Sequence, residues 1–113
     1  MRTRPDVITT TQIGTHKIHR DESGYLVDPH EWNLEVAAHL AKEEAIELTP
    51  EILQIIAFMR DYLEEHLIAP DARFVFAFIA EKNNTTKAQA RQHFFTLFPY
   101  GYVRQACKIA GFK

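Results

Sequence analysis

The single cysteine of the chain, Cys107, is the residue best suited to covalent chemistry. It lies three positions after Arg104 and directly before Lys108, so on a helix both cations would lie near the thiol. Nearby positive charge favours the thiolate, which is the form that attacks sulfur. The pattern predicts a nucleophilic thiol with a lowered pKa. The alternative is that Cys107 is a small packing residue with an inert thiol.

The residues around Cys107 predict a short helix behind a turn. The apolar run Phe94–Phe98 is interrupted, and Tyr100 and Gly101 supply the turn. Residues 102–110 then predict a final helix, which Gly111 would end in a left-handed cap. Val103, Ala106 and Ala110 are spaced to face the core, and Ile109 lies beside them.

Several separate motifs, spread over about residues 14–112, carry a resemblance to a known family. They are Asp21-Glu22-x-Gly24-Tyr25-Leu26, Trp32, Ile46-Glu47-Leu48-Thr49, Ile55-Ile56-x-Phe58-x-Arg60-x-Tyr62, Pro70 with Arg73, Leu97-Phe98-Pro99-x-Gly101, and Gln105-Ala106-Cys107-Lys108-Ile109-Ala110-Gly111. Together they resemble the DsrC/TusE family of small sulfur-relay proteins. A match to several motifs in the right order is far more specific than a match to one.

The resemblance implies a persulfide carrier that acts through its C-terminal segment, rather than a self-contained enzyme. Cys107 would be the catalytic residue, since it matches the upstream cysteine of the family's C-terminal arm. The implied partners are a sulfurtransferase or persulfide donor of the DsrEFH or TusBCD type, and a sulfite-reductase-type enzyme. We expect four residues to contact the partner: Arg104, Lys108, Tyr100 and Gly101.

The sequence departs from the family at the segment that matters most. The family's arm runs on past the Ala-Gly pair to Pro-x-Gly-Cys-x, and its penultimate cysteine carries the sulfur; the 113 residues do not include that ending. Tyr102 stands where the family usually has proline. Either the chain is a truncated piece or it is a divergent paralogue. Cys107, which TusE-type members lack, points to DsrC-like sulfur metabolism rather than to thiolation of tRNA.

Length and composition predict one domain over residues 1–113 with one modest core. One cysteine excludes an intramolecular disulfide and any CxxC-type metal cluster, so we expect no metal, and no motif predicts a cofactor. The compartment expected is the reducing cytoplasm. No apolar run approaches bilayer length, so we expect no membrane partner.

Charge is distributed unevenly along the chain. Residues 21–65 carry twelve acidic and two basic residues, a net charge of −10, whereas residues 66–113 carry seven basic and two acidic residues, a net charge of +5. The basic half predicts an anionic partner, either protein or nucleic acid. The alternative is two solvated faces that partly neutralise each other.

The order of patterns predicts a mainly α fold, a small orthogonal helical bundle with an N-terminal two-stranded β-hairpin and a C-terminal arm. Residues 1–12 predict a mobile tail, residues 14–27 a hairpin with its turn at 21–24, residues 28–97 a helical core, and residues 98–113 a C-terminal segment. Helix starts are predicted at Asp28-Pro29, Thr49-Pro50 and Asp71. The predicted buried stripes are Trp32, Val36 and Leu40; Ile52, Ile55, Ile56, Met59 and Leu63; and Phe74, Val75, Phe78 and Ile79.

Residues 71–97 predict two helices joined by a short turn, similar to a helix-turn-helix. The turn is at Asn83-Asn84, and Thr86 with Gln89 has the spacing of a capping box. The second helix would expose residues able to contact phosphate or base edges: Lys87, Gln89, Arg91, Gln92 and His93.

Three functions are therefore open. The first is a sulfur relay through Cys107, the second a DNA-binding regulator using residues 71–97, and the third a docking or regulatory paralogue without carrier chemistry. The acidic middle of the chain weighs against DNA.

Overall fold

The computed structural model describes residues 7–113, which form two strands and five α-helices. A 3-10 turn at Pro29–Glu31 precedes α1, and a π-helical stretch at Tyr102–Cys107 precedes α5. The mainly α fold with an N-terminal two-stranded hairpin is confirmed. The elements are β1 (Thr9–Ile13), β2 (His16–Arg20), α1 (Leu34–Glu43), α2 (Pro50–His66), α3 (Ala72–Asn83), α4 (Lys87–Leu97) and α5 (Lys108–Ala110).

The hairpin lies earlier in the chain than predicted. Strands β1 and β2 pair antiparallel, with Ile13 opposite His16. The strand expected at residues 16–19 is present as β2, but its partner precedes it instead of following at residues 25–27. Strand β1 takes up residues 9–12 of the predicted tail, and residues 1–6 lie outside the described residues. The threonine-rich run gives no apolar alternation because Ile13 is the one fully buried residue of β1.

The turn predicted at residues 21–24 is present, but it does not join two long strands. The Gly24 N–H donates to the Asp21 carbonyl at 3.0 Å. Beyond the turn, the chain returns to β2 through one isolated bridge between Arg20 and Leu26. Local turn chemistry was therefore read correctly, while the pairing of the strands was not.

Capping residues begin three helices where the sequence predicts them. The Thr49 and Asp71 side chains accept N–H bonds at the starts of α2 and α3, and Thr86 and Gln89 form a reciprocal capping box on α4. The first start differs, because Asp28 caps only the 3-10 turn and α1 begins after Asn33. Each cap satisfies backbone donors that lack a partner within the helix.

The core lies where α1, α2 and α5 meet and extends to α4. The predicted stripe on α2 is confirmed, with Ile52, Ile55, Ile56 and Met59 all buried and Leu63 partly buried against them. On α3 the prediction holds for Val75 and Ile79, but Phe74 is 48% exposed. The Phe74 ring instead stacks on Tyr62, with ring centres 5.6 Å apart, at the edge of the core.

No helix within residues 7–113 is both long enough and apolar enough to cross a lipid bilayer.

Candidate functional site: the C-terminal segment

The C-terminal segment, residues 98–113, packs into the core instead of projecting from it as an arm. Its buried residues are Phe98, Gln105, Ala106, Cys107, Ile109, Ala110, Gly111 and Phe112. Burial of Ala106, Ile109 and Ala110 confirms the predicted core-facing positions. Val103 was placed wrongly, because it is 51% exposed. Residues 102–107 form a π-helical stretch, not the predicted α-helix, and single π-helical turns often mark functional sites.

Trp32 and Arg60 hold the segment from the side of the core. The Trp32 indole Nε1 donates to the Ile109 carbonyl at 2.8 Å, and Arg60 Nη1 donates to the Ala110 carbonyl at 2.8 Å. The guanidinium carbon of Arg60 also lies 4.4 Å from the centre of the Trp32 ring, a cation–π distance. Two donors from separate elements therefore bind adjacent carbonyls of the segment's last helical turn.

Gly111 ends that turn in a left-handed conformation, with φ 90°, as predicted. A Cβ atom at this position would lie 2.5 Å from Cδ1 of Trp32. Only glycine therefore allows both the left-handed turn and the close approach of the indole.

Two tyrosine hydroxyls fasten the beginning of the segment. Tyr25 Oη donates to the Val103 carbonyl at 3.1 Å, and Tyr102 Oη donates to the Pro70 carbonyl at 2.6 Å. The buried Gln105 accepts the Tyr100 backbone N–H at 2.8 Å, which closes the turn.

The Cys107 thiol is 2% exposed. Burial raises its pKa to about 12, and a hydrogen bond with the Tyr102 hydroxyl opposes that rise only in part. The expected lowering of the pKa by Arg104 and Lys108 was therefore wrong. Desolvation dominates because a thiolate loses its hydration in the core.

The Tyr102 hydroxyl interacts with both the Pro70 carbonyl and the Cys107 thiol. The hydroxyl has one proton, and the Pro70 carbonyl accepts it. When the thiol ionises, a hydrogen bond donated by the hydroxyl to the thiolate opposes the rise in the pKa of Cys107. Burial also raises the pKa of Tyr102, so both groups stay protonated near neutral pH.

The predicted partner-binding residues do not share one environment. Tyr100 is 69% exposed, and Arg104 is exposed with its guanidinium carbon 5.8 Å from the Tyr100 ring centre. Gly101 is half-buried beneath them. The side chain of Lys108 is only 16% exposed and forms an ion pair with Glu44 at 3.7 Å, so it does not share the open surface of Tyr100 and Arg104.

Sequence reasoning missed the residues that hold the thiol in place. Trp32 was expected only in a family motif and in a buried stripe with Val36 and Leu40, Arg60 only in a family motif, and Tyr102 only as a departure from the family pattern. The spacing of these residues in the chain gives no sign that they meet at one segment. The one available signal in the sequence was Tyr102, a residue able to form hydrogen bonds at a position where the family usually has proline.

The α3–α4 pair has the predicted connection, with Asn84 in a left-handed turn. Lys87, Gln89, Arg91 and Gln92 are exposed on α4. His93 differs from them, because its Nε2 lies 2.8 Å from Glu51 Oε2 on α2.

The fold and the segment define a class: a small helical domain with an N-terminal hairpin, and a cysteine on a C-terminal segment held by tryptophan and arginine. The family model described as "DsrC like protein" matches residues 12–113. The chain therefore belongs to the DsrC-like family.

Named relatives and solved structures agree with this assignment. The chain is 37% identical to the sulfurtransferase TusE homolog of Haemophilus influenzae, over 84% of this chain and 86% of that protein. It is 35% identical to sulfurtransferase TusE of Escherichia coli K12, over 84% and 86%. The oxidized gamma-subunit of the dissimilatory sulfite reductase (DsrC) from Archaeoglobus fulgidus superposes with a TM-score of 0.81 at 33% identity, over 93% of this chain and 95% of that one. The DsrC of Allochromatium vinosum gives 0.79 at 36% identity, over 94% of each chain.

Proposed function

We propose that this protein is a sulfur-relay protein, which accepts sulfane sulfur from one protein and passes it to another. The observation that carries the proposal is the family match over residues 12–113, which includes the segment with Cys107. The relatives are named as a sulfurtransferase and as a sulfite reductase subunit. The proposed partners are a sulfurtransferase or persulfide donor of the DsrEFH or TusBCD type, and a sulfite-reductase-type enzyme.

Cys107 is the proposed carrier within the described residues. The thiol loses its proton, and the thiolate attacks the terminal sulfur of a donor persulfide. An S–S bond forms on Cys107 as the donor's S–S bond breaks, and the donor leaves as a thiolate that takes up a proton. The transfer involves no net oxidation, so no separate oxidant or reductant is required.

The burial of Cys107 means that the thiol reacts only after the C-terminal segment leaves the core. Opening breaks the hydrogen bonds from Tyr102, Trp32 and Arg60, and it returns the thiol to water, where its pKa falls towards the ordinary range. Arg104, Tyr100 and Gly101 are the proposed partner contacts of the closed segment. Lys108 joins them once its ion pair with Glu44 opens.

Intact mass spectrometry tests the carrier step. After incubation with glutathione persulfide, the protein should gain the mass of one sulfur atom, and Cys107→Ser should gain none. Because Cys107 is the one cysteine of the chain, the mass assigns the site directly. Absence of any adduct on the native protein, with full modification of the denatured protein, would remove the carrier role.

Absence of an adduct on the native protein would favour a second candidate function, that of a docking or regulatory relative that keeps the fold and the partner surface. The observation in its favour is the burial of Cys107 beside the Tyr102 hydroxyl. In this case Cys107→Ser would bind the partner as well as the unmodified protein does.

A further inference from the structure

An exposed aromatic and basic surface covers α4 and the turn that follows it. Phe95 is 40% exposed, Tyr100 69% and Val103 51%, which is high for apolar side chains of this size. The Phe95 ring lies beside Gly101, where an added Cβ atom would be 3.8 Å from Phe95 Cε1. The helix and the turn therefore form one continuous surface. We call Phe95, Tyr100, Val103, Arg91 and Arg104 the basic-aromatic face.

The two arginines of the basic-aromatic face lie over its rings. The guanidinium carbon of Arg91 is 5.6 Å from the Phe95 ring centre, and that of Arg104 is 5.8 Å from the Tyr100 ring centre. Within residues 7–113, neither guanidinium has a carboxylate at ion-pair distance. Arg20 and Lys108, by contrast, pair with Glu43 and Glu44. The face thus presents two cations without a counter-ion in this part of the chain.

We propose that the basic-aromatic face docks an acidic surface of the sulfur-donor protein, a proposal that rests on the proposed relay function. Aromatic residues and arginine are enriched at protein interfaces, and tyrosine and arginine are among the side chains that most often dominate the binding energy. Stacking on a ring orients a guanidinium and leaves N–H groups free to bind carboxylates. Arg104 lies three residues before Cys107, so docking here brings the donor to the segment that must open.

Charge favours an acidic protein over a nucleic acid as the occupant. Contacts to phosphates supply most of the affinity of non-specific nucleic-acid binding, and the face offers only two guanidinium groups for such contacts. The whole chain has a net charge of −2, and residues 21–65 alone carry −10, which would repel a long polyanion.

Charge reversal provides the test, with a purified TusBCD-type complex as the probe. Arg91→Glu/Arg104→Glu should weaken binding roughly tenfold or more, and the affinity of the wild-type protein should fall as salt rises. Lys17→Glu/Lys42→Glu, at two exposed cations on β2 and α1, makes the same change in net charge away from the face and should leave affinity within about twofold. Tyr100→Ala should also weaken binding, because it removes the most exposed ring. Circular dichroism would check the fold of each variant.

The outcomes separate docking from the relay chemistry. Loss of sulfur uptake from the complex by Arg91→Glu/Arg104→Glu, with full uptake from glutathione persulfide at long times, supports the docking site. If neither the wild-type protein nor the charge-reversal variant takes sulfur from glutathione persulfide, the relay function fails. If the charge reversal still abolishes binding of the complex in that case, the docking site stands. Equal binding by wild type and variant, or no binding by wild type, overturns the docking site. The docking site is also overturned if tRNA or duplex DNA binds through the basic-aromatic face while the TusBCD-type complex binds independently of that face.

Discussion

Replacing Tyr102 with phenylalanine tests whether opening of the C-terminal segment controls the reactivity of Cys107. The change keeps the ring that packs on Phe94 and removes the hydroxyl that bonds the Pro70 carbonyl and the thiol. It leaves the buried Pro70 carbonyl without this donor, a loss of about 1–3 kcal/mol in the closed state. Since 1.4 kcal/mol corresponds to about tenfold, the open population should rise roughly 5- to 150-fold.

Reaction of Cys107 in the closed state and reaction after the segment opens predict opposite changes in the alkylation rate of Tyr102→Phe. In the closed state the Tyr102 hydroxyl holds the pKa of Cys107 below the value that burial alone would produce, so its removal would slow a reaction of the closed form. If reaction requires opening, removal speeds it. The direction of the change therefore identifies the reactive form.

Alkylation by iodoacetamide near pH 7.5, followed by intact mass, measures the rate at one unambiguous site. With a pKa of about 12 against an ordinary 9.0, the closed thiol has about a thousandfold less thiolate than an exposed one. Native protein should therefore react far more slowly than protein in guanidinium chloride. Tyr62→Phe, which removes a hydroxyl on α2, is the matched control and should not change the rate. Slower alkylation of Tyr102→Phe, or equal rates in native and denatured protein, would refute the opening mechanism.

Two further predictions concern stability. Gly111→Ala should lower the free energy of unfolding by about 1–3 kcal/mol, because φ is 90° and the added Cβ meets Trp32 at 2.5 Å. Gly14→Ala is the control in the same urea titration. Its Cβ meets only the flexible carboxylate end of Glu35, so it should lower the free energy of unfolding by less. The hydrogen bond from Arg20 holds the pKa of Glu43 below its ordinary 4.5 in the folded protein, so this contribution is present above pH 4.5 and is lost as the pH falls below it. Arg20→Ala should therefore reduce the drop in stability between about pH 5 and 3, and an unchanged drop would contradict the assignment.

Local sequence signals predicted the helices well because capping is a local interaction. Thr49, Asp71 and Thr86 each bind an N–H two or three residues along the chain, so residue type and spacing suffice to place the helix start. The hairpin was misplaced for the opposite reason. Strand β1 is defined by its pairing with β2, and its threonine-rich sequence lacks the apolar alternation from which a strand would be predicted.

The candidate site shows the same division between local and long-range information. The sequence alone identified Cys107, the turn at Tyr100-Gly101 and the cap at Gly111, since each depends on residue type and near neighbours. The tertiary structure decided that the thiol is buried, that its pKa rises, and that Lys108 pairs with Glu44. The Lys108–Glu44 ion pair joins residues more than sixty positions apart, and the desolvation of Cys107 depends on the packing of the whole core, so adjacency in the chain reports neither.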